Sequence, residues 1–223
     1  MKKFELTNEF VTNMFGTKLF RIRALVEFGD VEAGELGGYV EKESNLGHDD
    51  NAWVYGDAQV SGDALVYGDA QVSGNAWVYG DAQVSGNARV YGNTWVYGDA
   101  QVSDDALVYG NARVYGNARV YGDAQVSGDA RVCGDARVCG NGDYAYAHGF
   151  GSVNRTTTFF RLKDGGVGVR CGCFYGTLAQ FRDKIRETHG ETKKAQEYLM
   201  LADLMELRFE EDENEVGNRK YVE

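Results

Sequence analysis

Residues 77–100 read Trp77-Val78-Tyr79-Gly80-Asp81-Ala82, Gln83-Val84-Ser85-Gly86-Asn87-Ala88, Arg89-Val90-Tyr91-Gly92-Asn93-Thr94 and Trp95-Val96-Tyr97-Gly98-Asp99-Ala100, four copies of one hexapeptide. The pattern, x-Val-[Tyr/Ser/Cys]-Gly-[Asp/Asn]-Ala, extends both ways until fifteen valines stand six residues apart from Val54 to Val138. Four residues after each valine from Val54 to Val132 comes alanine, with Thr94 the one exception. A fixed short period means identical units stacked on one another, none of which buries its apolar side alone. Within a unit the x-Val-Tyr triplet alternates out, in, out, as a short strand with one buried face does. Gly followed by Asp or Asn suits a tight corner with positive φ, and the following alanine is small enough to turn inward.

This pattern resembles the hexapeptide-repeat family, whose chains fold as left-handed parallel β-helices of triangular cross-section. The resemblance implies three hexapeptides per coil, so the strict run supplies five coils. At one strand spacing per coil they form a prism roughly 24 Å tall. The left hand comes from the resemblance alone, because crossovers between parallel strands are otherwise right-handed. The expected fold is mainly β, a left-handed parallel β-helix with an N-terminal β cap and a small C-terminal α+β module. Residues 1–34 form the cap, 35–142 the β-helix, 143–209 the module and 210–223 an acidic tail.

In the cap, Lys3-Phe4-Glu5-Leu6 and Thr17 to Val26 alternate as strands around a turn at Asn13 to Gly16. Val40 and Leu46 are again six apart and read as irregular first turns; Val54 lies eight after Leu46, so two residues bulge out near His48 to Asp50. This prelude, from Glu27-Phe28-Gly29-Asp30-Val31 through Gly37-Gly38-Tyr39-Val40-Glu41 to Asn45-Leu46, is similar to the start of YdcK-like hexapeptide proteins of bacteria and their phages. That group is labelled as transferases on fold grounds alone, and the resemblance covers roughly residues 17 to 142. After Val138 the repeat stops. Thr156 to Leu162 and Val167 to Tyr175 read as two strands joined at Lys163-Asp164-Gly165-Gly166. Thr177 with Gln180 makes a capping box for a helix from Leu178 to His189, stopped by Gly190; a second helix follows from Lys193 to Phe209. Phe159-Phe160-Arg161 and Cys171-Gly172-Cys173-Phe174-Tyr175-Gly176-Thr177-Leu178 look like a module attached to β-helix proteins in phage and Firmicute genomes. Its structural role would be to cover the open end of the helix, which otherwise exposes backbone donors and apolar side chains.

The 223 residues carry a net charge of −11, which argues against a general nucleic-acid or acidic-membrane binder. Much of it is corner aspartate plus the tail acids Glu210, Glu211, Asp212, Glu213 and Glu215. No signal peptide or spanning helix is evident, so a cytoplasmic protein with four reduced cysteines is expected. Cys171-x-Cys173 is too tight for a zinc arm, so no metal is expected, and Cys133 and Cys139 stand where other repeats have Tyr or Ser.

Only departures from the repeat can carry chemistry. Outward positions of every third hexapeptide stack, giving three different faces. The first carries Trp53, Gln71, Arg89, Leu107 and Gln125 beside Tyr55, Ser73, Tyr91, Tyr109 and Ser127. The second carries Gln59, Trp77, Trp95, Arg113 and Arg131 beside Ser61, Tyr79, Tyr97, Tyr115 and Cys133. The third ends in Arg119 and Arg137. The plain reading is ring-on-ring packing, or a subunit contact in the homotrimer that the resemblance implies. The functional reading is an inter-subunit groove for a small anionic, nucleotide-like ligand. In it Trp77, Trp95, Tyr97 and Tyr115 stack on a base while Arg113, Arg119, Arg131 and Arg137 hold phosphate. Arg155, Arg161, Lys163 and Arg170 of the module add to that basic end.

Characterised hexapeptide proteins are mostly acyltransferases using acyl-CoA or acyl-carrier protein, with a histidine as general base. The strict run here has no histidine. His48 in the prelude and His148 after the last coil are the candidates for a base, each with a simpler reading as a solvated turn or end residue. His189 sits at a helix end, where the dipole favours it. The residues therefore favour a non-catalytic trimeric binder without a cofactor; the phage resemblance suggests sequestration of a host defence signalling nucleotide. The alternatives are an acyl-CoA-dependent acyltransferase and a structural or protein-binding scaffold.

Overall fold

Every valine of the repeat from Val54 to Val138 is fully buried, and so are the alanines from Ala52 to Ala136. A computed structural model describes residues 2–150 and 155–210 of the chain. The strands of the repeat pair in parallel, each with its counterpart in the next coil, as in Trp77 with Trp95 and Trp95 with Arg113. The result is a three-faced parallel β-solenoid with the outward ladders in the expected register. Valine and alanine line its interior as one continuous core.

The corners follow from glycine. Gly98, at φ +70°, would place a Cβ 3.1 Å from the backbone nitrogen of Gly116 in the next coil, so a side chain there is crowded as well as left-handed. Asp104 holds a corner at φ +58° without being glycine, and its carboxylate accepts the Gly122 N–H at 3.0 Å. Corner amides form ladders of their own. Asn93 Nδ2 donates to Asn111 Oδ1 at 3.3 Å and Asn111 Nδ2 to Asp129 Oδ1 at 3.1 Å.

The first turn is longer, pairing Val40 with Val60 and Leu46 with Val66, so the extra residues lie in the bends from 48 to 51. Strands Phe4–Thr12, Lys18–Ala24 and Leu36–Val40 run antiparallel and extend the second face into an eight-stranded sheet. Their turn spans Asn13 to Gly16, as expected. One outward residue is covered here. Trp53, placed on the outward ladder of the first face, is fully buried because Phe4 and Phe28 close over its ring edge-on at 6.2 and 5.3 Å. Strand periodicity cannot register a covering element that lies elsewhere in the chain.

At the other end the module has four strands where two were expected: Tyr144–Phe150, Arg155–Arg161, Val167–Cys171 and Phe174–Thr177, all antiparallel. The segment expected as one strand from Val167 to Tyr175 breaks at Gly172, whose φ is +59°. Helices α1 (Leu178–His189) and α2 (Lys193–Phe209) match the expectation, with the Thr177–Gln180 capping box in place. The Arg155–Arg161 strand is the joint. Its alternation sends Phe160 into the solenoid core and Phe159 into a second core with Phe181, Ile185, Tyr198 and Met205. The last coil's open backbone is met by side chains: Thr158 Oγ1 accepts Arg131 N–H at 2.9 Å, and the Tyr144 hydroxyl donates to Gln125 O at 2.6 Å. The tail acids from Glu211 onward lie outside the described residues. Among those described, no helix is long and apolar enough to cross a membrane.

Candidate functional site

The outward side of the second face carries two stacked columns, one of tryptophans and one of tyrosines. Trp77 and Trp95 lie 5.5 Å apart at 8°, and Tyr79, Tyr97 and Tyr115 follow at 4.9 Å with planes within 2°. Phe15, from the N-terminal hairpin turn, meets Trp77 and Tyr79 at one end of the stack. At the other end the Arg113 guanidinium lies 4.5 Å from the Trp95 ring centre, and Arg170 lies 6.0 Å from that of Tyr115. Both faces of Trp95 and of Tyr97 are therefore occupied within the chain. The expectation that these rings stack on a base does not fit that geometry: they offer edges. Trp95 instead braces the Arg113 guanidinium through a cation–π contact. Burial pushes the Tyr79 phenol up to about 12, and raises Tyr115 and the Cys133 thiol too, so these groups stay protonated at neutral pH.

Where the stack ends, an open cleft of about 410 Å³ lies between the second face and the module's first hairpin. Arg113 and Arg131, from adjacent coils, line it with Arg155, His148 and Thr156. A Cβ at Gly172 would collide with the Arg155 guanidinium, so that glycine makes room for it. Two arginines on neighbouring rungs repel each other unless an anion sits between or beside them. The acidic lining residue, Asp129, already accepts the Asn111 amide of its own corner ladder.

The structure brings together only part of the expected set. Arg119 and Arg137 lie on the third face, around the corner from Arg113 and Arg131, because outward positions six residues apart fall on different faces. Arg137 donates to Asn117 O at 3.0 Å and to Ala136 O at 2.9 Å, and burial with the neighbouring Arg119 lowers its pKa. Arg161 is bound to Phe209 O at 3.0 Å. Arg155, expected at the basic end of the module, joins the cleft in their place.

The two candidate bases divide. Lys3 N–H donates to His48 Nδ1 at 3.2 Å, which leaves the ring proton on Nε2, 3.0 Å from Glu43 Oε1. With Phe4 stacked on the ring at 4.5 Å, His48 ties the first strand to the prelude and has no nitrogen left for a substrate. His148 lines the cleft, with Nδ1 3.0 Å from Thr156 Oγ1. Among the described residues, no three His, Cys, Asp or Glu side chains converge as a metal site.

The sequence model of the YdcK β-solenoid repeat matches residues 58–72, 70–82, 82–98, 100–114, 112–128 and 124–140. No curated protein matches the chain.

Proposed function

We propose, for a chain whose residues 58–140 belong to the YdcK β-solenoid repeat family, a non-catalytic binding role toward a small anionic, nucleotide-like ligand. The observation that carries it is the convergence of Arg113, Arg131 and Arg155 on one cleft of a chain with net charge −11. Clustered guanidiniums in an acidic protein hold phosphate or carboxylate through paired N–H donors. The cation–π contact with Trp95 holds Arg113 and so reduces the ordering cost of binding. The cleft is walled by two parts of the same chain, so the arginines act without a second copy. The homotrimer stands on the hexapeptide resemblance alone, and light scattering tests it separately.

Thermal shift and calorimetry with inorganic phosphate, nucleoside monophosphates and acetyl-CoA test the reading. Phosphate-bearing ligands should stabilise the wild type, and Arg113→Ala with Arg131→Ala should abolish the effect. Turnover of acetyl-CoA dependent on His148 would replace this reading with acyl transfer. Unchanged stability with every anion would leave only a scaffold.

A further inference from the structure

On the first face two stacked tyrosines stand between serines, Ser73 on one side and Ser127 on the other. Tyr91 and Tyr109 stack at 5.2 Å and 4°, and the next rung holds Ser127. On the second face the matching place after Tyr115 is taken by buried Cys133, with Arg170 closing over the ring. Over Ser127 there is instead a cleft of about 420 Å³, lined by Tyr109, Gln125, Asn141, Tyr146 and Arg208. Among the described residues, no ring lies on the far face of Tyr109.

We propose that this slot takes the flat nitrogen heterocycle of the ligand, a nucleobase stacked on Tyr109 as the missing rung. Base–aromatic stacking needs a free ring face, which Trp95 and Tyr97 lack and Tyr109 has. The Gln125 side-chain amide supplies a planar hydrogen-bonding group at the rim, with the NH2 of Asn141 beside it; the Oδ1 of Asn141 already accepts the Gln125 backbone N–H at 2.9 Å. Ser127 lines this cleft and Asp129 the arginine cleft, so the two flank a single corner at Gly128. The Cα atoms of Ser127 and Asp129 are at most roughly 7 Å apart, so the rims of the two clefts adjoin and a mononucleotide entering both turns this corner between its base and its phosphate. Tyr146 reaches over Gly128, where a Cβ would collide with its hydroxyl, so the ligand passes beside that group. The inference rests on the arginine cleft for the ligand's anionic half; the base half is a separate site with its own residues.

Calorimetry with the four ribonucleoside monophosphates, adenosine and inorganic phosphate tests it on the wild type, Ser127→Tyr and Tyr109→Ser. Ser127→Tyr fills the slot with the ring that the repeat itself uses elsewhere, and Tyr109→Ser removes the stacking face without adding bulk. At least one mononucleotide should bind about tenfold or more tighter than phosphate, within the range that stacking on one ring provides. Both substitutions should erase that margin while phosphate binding persists. A margin that survives both, or a wild type that binds phosphate as tightly as every mononucleotide, overturns the base slot and leaves the arginine cleft standing. Failure of phosphate and nucleotides alike removes both.

Discussion

Inside the regular coils burial is the work of valine and alanine, repeated every six residues. At the joint with the C-terminal sheet it is the work of Phe160, Tyr144 and Thr158, each used once. In the coils each contact has a copy one coil away, so stability accumulates rung by rung. At the joint, side chains must meet backbone groups that no further coil will satisfy. Both clefts open beside this joint, where outward residues of the last coils face the C-terminal module.

The largest expected effect breaks the joint and spares the coils. Phe160→Ala should cost about 3–5 kcal/mol, as truncation of a buried aromatic does, and hydrogen exchange should locate the loss in the module. Equal loss of protection across all coils would mean that the two regions unfold as one.

The N-terminal end offers a pH test. Lys3 is buried with its ammonium on Asp50 O and Ala52 O, and desolvation pushes its pKa down to about 8. The folded state thus holds fewer protons than the unfolded state between about 8 and the usual 10.5, and stability rises with pH in that window. The gain from pH 8 toward 10, read as wild type minus Lys3→Met, should reach about 2 kcal/mol. A flat difference would remove the buried charge from the account. Raised tyrosine pKa values act in the opposite sense above pH 10, when the unfolded chain ionises first.

Within the coils, Gly98→Ala should cost about 1–2 kcal/mol, because alanine there is both left-handed and crowded against Gly116. Denaturant titration beside Asp104→Gly, expected near neutral, checks whether conformation or the missing carboxylate bond dominates at a corner. The smallest effect is a gain. Thr94 stands where the repeat has alanine, fully buried with an unpartnered hydroxyl. Thr94→Val should stabilise by about 1 kcal/mol, and a loss in the melting curve would mean that the hydroxyl has a partner.

Much of the fold is legible in the chain because the repeat enforces it locally. Val and Ala positions, corner glycines, the coil-to-coil register and both module helices follow from spacing and capping. Trp53 defeats the pattern because its cover, Phe4 and Phe28, lies outside the repeat. The break at Gly172 escapes it because the space left by its missing Cβ is taken by the Arg155 guanidinium, a partner distant in sequence. The arginine cleft is half legible. Arg113 and Arg131 follow from the ladder, whereas Arg119 and Arg137 belong to another face and Arg155 comes in from the hairpin.

The solenoid, its register and the outward side chains can be read from the chain alone, because each is set by neighbours six residues or one full coil away. Which outward groups remain available is a matter of tertiary cover. Folding fills both faces of Trp95 and Tyr97, commits both nitrogens of His48 and leaves Tyr109 facing an empty rung. Availability depends on what covers a residue, and at the two ends the cover comes from segments with no periodic relation to what they cover.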